Sequence, residues 1–189
     1  VISGVYDLPK LVGSDNGAKW LLNGWQVAGI AVFQSGLPFS VVDNPGNAVI
    51  SRANISTSYS GSLYCSGSNS TCLNNYFNQG AFVQSRPRVD GTSVGVVNNA
   101  TFDPSNPFGN TERNFLTGPG QKNVDLSFIK QFPVREGVKV EFRAEMFNIF
   151  NWVNYANPAN NIAVPGAFGR ISSAATGPRV VQFGAKVSF

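Results

Sequence analysis

The sequence predicts an all-β fold: an antiparallel transmembrane β-barrel wall, partial, about five strands of a larger barrel, with long extracellular loops. Three observations predict it. Several segments of about ten residues alternate apolar and polar side chains, the period of a strand with two unlike faces. The connections between them differ greatly in length, two being short and two very long. The composition, with 20 Gly, 11 Pro, 12% aromatic and only 13% charged residues in 189, suits strands and polar loops better than a helical bundle.

In chain order, Val1 to Leu8 reads as the remnant of a strand, and Trp25 to Gln34 is extended and apolar enough for a second. From about residue 43 to 120 the chain is rich in Asn, Ser, Gly and Pro, its apolar pieces (Phe77, Phe82, Val94 to Val97) are short, and it reads as one very long loop. Asn123 to Phe132 places Val124, Leu126, Phe128 and Phe132 on one face, and Val138 to Met146 alternates apolar and charged residues throughout. Pro133 to Gly137 joins these two as a hairpin. Residues 151 to 177 form a second long loop, and Val181, Phe183, Ala185, Val187 and Phe189 mark one face of a last strand. Short links on one edge and long ones on the other describe a barrel wall, and strands of about ten residues suffice to cross a bilayer when tilted.

Lys139, Glu141, Arg143 and Glu145 occupy successive same-face positions, with Lys186 on the last strand, so that face must be wet. In a barrel it is the lumen; in a soluble sandwich it would be the solvated side of a sheet. Trp25 at one strand entrance, and Phe147, Phe150, Trp152 and Tyr155 beyond the end of another, fall where interfacial girdles sit, with Trp25, Trp152 and Tyr155 the aromatics assigned to them. Phe147 and Phe150 are also readable as core aromatics. An alternating strand that closes on Phe189 resembles the signal by which bacterial outer-membrane barrels are recognised by the assembly machinery.

Other chemistry is poorly supported. The chain has no His, which removes the usual general base and every His-bearing zinc site, and no cofactor is expected. Fourteen scattered cations against ten acidic groups give +4 without the clustering that nucleic acid requires. Asp90, Asp103, Glu112 and Asp125 could supply a carboxylate pair, but nothing brings two of them to glycosidase spacing. Gly118-Pro119-Gly120 is turn chemistry, and the sequons at Asn54, Asn69 and Asn99 are expected by chance in so Asn-rich a chain. Cys65 and Cys72 flank a six-residue polar stretch without metal-ligand company; a small disulfide loop is the main reading, two unpaired thiols the other.

A set of motifs carries a family resemblance: Tyr6-Asp7-Leu8-Pro9, Gly24 to Ile30 with Gln34-Ser35-Gly36-Leu37-Pro38-Phe39, Phe108-Gly109-Asn110-Thr111-Glu112-Arg113-Asn114, Gly118-Pro119-Gly120, Asp125-Leu126-Ser127, Phe142 to Asn151, Phe168-Gly169-Arg170 and Gln182 to Phe189. Together they resemble the C-terminal part of a TonB-dependent outer-membrane receptor, of the Oar-like branch with a carboxypeptidase-regulatory-like N-terminal domain. The resemblance implies a barrel of about twenty-two strands around a plug, taking up a bulky nutrient (oligosaccharide, siderophore or peptide type) with energy relayed by TonB. On that reading residues 1–189 are a segment lacking the plug and most of the wall, as opening at Val1 with a single Met146 also suggests. Its partners are outer-membrane lipid, the missing plug and strands, and the TonB complex through the missing part. With Phe189 at the periplasmic end, strand parity puts both long loops, and Cys65 and Cys72, outside the bacterial outer membrane. The competing reading is a soluble secreted β-sandwich binding glycans or a surface partner through its Asn- and aromatic-rich loops.

Overall fold

The computed structural model describes residues 1–13, 18–44, 50–85, 108–135 and 137–189, and the chain forms two units. The strands are β1 (Ile2–Asp7), β2 (Trp25–Gln34), β3 (Pro38–Phe39), β4 (Val42–Asp43), β5 (Ser51–Arg52), β6 (Asn54–Ile55), β7 (Phe82–Val83), β8 (Leu116–Thr117), β9 (Gln121–Arg135), β10 (Val138–Phe147) and β11 (Val180–Ser188). Two short helices, α1 (Lys19–Leu22) and α2 (Asn69–Asn74), and a 3-10 turn at Gln79–Ala81 complete the described elements. Among the described residues no helix is long and apolar enough to cross a membrane, which leaves open a crossing by strands.

The first unit, residues 1–34, 121–154 and 176–189, is an antiparallel sheet in the order β1-β2-β9-β10-β11. The four expected alternating runs and the N-terminal remnant are its five strands, and β9 and β10 pair as a hairpin whose register shifts between Val138 and Lys139. Gly137, at φ +80°, supplies the left-handed residue of that turn. The sheet is open: β1 and β11 are its edges among the described residues. The chain leaves it at Gln34 and Asn154 and re-enters at Gln121 and Thr176, all at the end opposite the Arg135–Val138 turn.

Register turns alternation along each strand into rows across the sheet, because paired residues share a face. One row runs Tyr6, Val27, Phe128, Ala144, Phe183, and the next Gly4, Gly29, Leu126, Met146, Val181. On the opposite face the corresponding rows are Gln131, Glu141, Lys186 and Val5, Ala28, Ser127, Glu145, Gln182. The apolar rows face no protein core: no hydrophobic side chain of this unit is buried among the described residues, and Tyr6 and Phe183 are 65% and 71% exposed.

The second unit, residues 35–120 and 155–175, corrects the expectation of two long loops. Its described parts pack around a core of Phe39, Val41, Phe77, Phe82, Leu116, Ile162 and Phe168. Phe77 lies edge-on to Phe168 and Phe82 at centroid distances of 5.0 and 5.5 Å, the geometry aromatic quadrupoles favour. The strand pairs β3–β8, β4–β5 and β6–β7 are two residues long, too short to show a period in sequence. The sequence pattern misses this core because its apolar residues are single and far apart, and only chain reversal assembles them. Residues 94–97 lie outside the described residues.

Several motifs of the resemblance prove to be backbone devices of this unit. A Cβ on Gly36 would lie 1.7 Å from the Gly118 carbonyl oxygen, so the chain beside β3 approaches that beside β8 only because Gly36 lacks a side chain, and a Cβ on Gly118 would lie 1.9 Å from Asn157 Oδ1, so Gly118 makes room for that amide. In Phe108-Gly109-Asn110-Thr111, the Asn110 N–H donates to Asn54 Oδ1 (2.8 Å) while Asn110 Oδ1 accepts from the Ile55 N–H (2.7 Å). Phe168 fills the core, and its carbonyl accepts from Gln79 Nε2 at 2.6 Å.

Candidate functional site

The polar face of the sheet gathers the charge row. Register sets Glu141 between Gln131 and Lys186, and Glu145 between Ser127 and Gln182. Arg143 Nε donates to Glu141 Oε1 at 2.6 Å, Gln131 Nε2 donates to Glu141 Oε2 at 3.3 Å, and Gln182 Nε2 donates to Glu145 Oε2 at 2.5 Å. Nearer the edge, Gln26 Nε2 donates to Asp7 Oδ1 at 2.7 Å. Lys139, exposed, pairs in register with Ser188 at the hairpin end. The face is a ladder of amides and alternating charges, suited to water or to another polar surface and not to hydrocarbon.

The apolar face ends in two aromatic clusters, each with a lysine. At the hairpin end Trp25 pairs in register with Lys130, whose Nζ lies 5.8 Å from the Trp25 ring centre and 4.9 Å from that of Phe132. Trp20, on α1, packs on Phe132 at 6.0 Å. At the other end Phe33 pairs with Lys122, whose Nζ sits 4.6 Å over Trp152, and Trp152 stacks on Phe150 at 4.7 Å. Eight residues of β9 separate Lys122 from Lys130, about 26 Å along a strand and about 20 Å in height at a tilt near 40°, against an apolar band of ≈25 Å in outer-membrane barrels. The reading of alternation passed over Lys130, a cation on an otherwise greasy face. It is 1% exposed, and its ammonium, beside the Trp25 and Phe132 rings, reaches the Asn23 carbonyl, so the buried cation is met by aromatic faces and a backbone acceptor. The aromatics in register on either side of it were the available signal.

Of the aromatics expected at the girdles, Trp25 and Trp152 lie in these clusters. Tyr155 does not: it belongs to the second unit and bridges to Ala174. Phe147 is on the polar face by register, paired with Val180, because it continues the odd-numbered row of Lys139 to Glu145. Val181, Phe183, Ala185 and Val187 share the apolar face, Phe183 stacking on Phe142 at 6.1 Å, and Phe189 stands fully exposed after β11.

Beyond β10 the chain makes a turn on asparagines. Asn148 and Asn151 have φ of +50° and +51°, conformations that Asn tolerates better than most side chains. Asn148 Nδ2 donates to the Trp152 carbonyl (2.9 Å), its Oδ1 accepts from the Trp152 N–H (2.9 Å), and its own N–H donates to Asp125 Oδ1 (2.8 Å). Asn154, 2% exposed, closes a reciprocal pair with the Lys122 backbone at 2.7 and 2.9 Å. The Phe147-to-Asn151 motif is thus a rim that ties β10 to β9. It borders a cavity of about 420 Å3 on the polar side of the wall, lined by Val32, Asn123, Asp125, Phe147 and Val180 among others.

In the second unit Cys65 and Cys72 are joined by a disulfide, with Cys72 on α2 and the start of that helix inside the closed loop. Tyr64 and Tyr76 meet edge to face at 6.1 Å, the Tyr64 hydroxyl accepting from the Thr117 N–H and the Tyr76 hydroxyl donating to the Thr117 carbonyl. Burial, and then the Tyr64 hydroxyl beside it, push the Tyr76 phenol above its usual range. The candidate carboxylates are not assembled: Asp125 belongs to the sheet and is held by Asn123 and Asn148, Glu112 belongs to the second unit, and Asp90, Asp103 and the sequon at Asn99 lie outside the described residues.

A sandwich would bury the Phe128 face under a second sheet; in the described residues that face is apolar, unburied and bounded by aromatic belts, as a lipid-facing wall requires. No curated protein and no solved structure matches the chain. The family described as "Outer membrane beta barrel domain" matches residues 1–182, nearly the whole chain. The open five-stranded sheet is therefore a partial barrel wall in contact with outer-membrane lipid, and this chain, a protein of the bacterial outer membrane, belongs to the outer membrane beta barrel domain family.

Proposed function

We propose that the chain is wall and outer surface of a TonB-dependent receptor that takes up a bulky nutrient, with the charge ladder facing the lumen and the second unit outside the cell. One observation carries this reading: a wall whose lipid face is apolar between two aromatic belts has, on its other face, an alternating row of Lys139, Glu141, Arg143 and Glu145 completed by Lys186 and amides. A row of charges and amides suits a polar lumen, filled by water or by a polar plug, behind a lipid-facing apolar surface. The resemblance of the motifs quoted above supports the TonB-dependent reading, and the C-terminal row Val181 to Phe189 supports recognition by the barrel-assembly machinery. Transport of this kind makes and breaks no covalent bond, so no catalytic group is assigned.

The test uses the complete receptor. Purified in detergent, it should bind the isolated periplasmic domain of TonB, measured by calorimetry; no binding overturns the reading. In cells, Arg143→Glu sets a third carboxylate between Glu141 and Glu145, and uptake should fall while the amount of folded receptor stays unchanged. Unaltered uptake removes the charge row from the mechanism.

A further inference from the structure

The second unit carries a groove of about 560 Å3, inside the ≈300–1,000 Å3 range of small-molecule sites. Tyr59 and Tyr64 line it, with Ser66, Asn75, Asn78 and Gln79 as its polar rim and the buried Phe77 ring in its floor. Among the described residues no charged side chain lines it, although the chain as a whole carries +4.

Its walls are held from several sides. The Cys65–Cys72 bridge closes one wall, and Tyr59 donates its hydroxyl proton to the Ser62 carbonyl. Gln79 Nε2 donates to both Asn75 Oδ1 and the Phe168 carbonyl, at 2.6 Å each, and Asn78 Oδ1 accepts from the Gly80 N–H at 3.1 Å. These bonds use one end of each amide. They leave Gln79 Oε1 as an acceptor and the Asn75 and Asn78 amide groups as donors at the rim.

We propose that this groove binds a neutral saccharide. Fixed aromatic rings offer apolar surface to the C–H faces of a sugar, while paired donors and acceptors suit its hydroxyls. An anionic or cationic ligand would find no counter-charge among the described lining residues. The proposal deepens the receptor reading, on which it rests for placing the groove outside the cell; binding itself needs only the folded second unit.

The experiment uses the complete receptor in detergent, titrated calorimetrically with neutral hexasaccharides of glucan, xylan and mannan type and with hexagalacturonate as the charged comparator. At least one neutral hexasaccharide should bind, and Tyr59→Ala should weaken it at least tenfold. Because Tyr59 also braces its loop, Ser66→Trp, which fills the groove from an exposed position, should abolish binding with the melting temperature unchanged. Binding of hexagalacturonate alone, of no neutral sugar, or equal binding by the Ser66→Trp variant overturns the proposal. TonB-domain binding measured on the same preparation separates the two readings: intact TonB binding without sugar sinks only the groove, and sugar binding without TonB sinks only the receptor.

Discussion

The two units solve the burial problem in opposite ways. Every buried hydrophobic side chain among the described residues lies in the second unit, around Phe77, Phe82 and Phe168. The sheet, with strands of nine to fifteen residues in β2, β9, β10 and β11, buries none. Its largest fully buried side chain is a lysine, Lys130. A domain in water must turn its apolar groups on one another, because removing them from water is the main driving force of folding. A wall in a bilayer already has hydrocarbon on one face and needs only to satisfy its backbone polar groups, which the strand ladder does. The short strand pairs of the second unit could not span a membrane, and the long strands of the first could not stand in water with Phe183 and Tyr6 bare.

This contrast predicts how each unit breaks, read on the intact protein. Phe77→Ala should cost the second unit ~3–5 kcal/mol, with protease nicking confined to that unit and the barrel's heat-modifiable gel mobility unchanged. Loss of the barrel as well would show that the two units are not separately stabilised. Leu126→Arg, in the middle row of the apolar face, should destabilise the wall by ~2–4 kcal/mol in denaturant titrations in lipid, while Ser127→Arg, one residue along on the polar face, should have little effect. Equal effects at the two positions would refute the assignment of faces. Removing the disulfide by Cys65→Ser with Cys72→Ser should cost about 2.5 kcal/mol, the entropy of an eight-residue loop, and lower only the melting of the second unit.

The smallest effect is a pH dependence. Tyr76 keeps its proton in the folded state above the unfolded value of 10.0, so its contribution is fully present below pH 10 and is lost as pH rises through the folded value. Melting of the second unit should therefore fall more steeply above pH 10 in the native protein than in Tyr76→Phe, and absorbance at 295 nm should show one late-titrating phenol. A flat difference between the two proteins would mean that the Tyr76 phenol is not held buried beside Tyr64 in solution.

Legibility followed the same division. The wall was readable because period-two alternation in Val138 to Met146 and Asn123 to Phe132 is a local property that burial on one side imposes. The aromatic belts were partly readable: Trp25 and Trp152 sit in them, while Tyr155 belongs to the other unit and Phe147 to the other face. The role of Lys130 was not, since its reach to Asn23 spans 107 residues of sequence. The groove was invisible because Tyr59, Tyr64 and Gln79 come together only when the chain folds back.

By itself the sequence determined the strands, their two faces and the hairpin, since each depends on neighbours two residues apart and on turn chemistry. Only the tertiary structure decided that Phe39, Phe77, Leu116 and Phe168 form one core, that β2 pairs with β9 across 86 residues of chain, and that the asparagines of the Phe147-to-Asn151 motif tie strands together. Those contacts are set by chain reversal and packing, whose energies depend on partners far along the chain and leave no period to read.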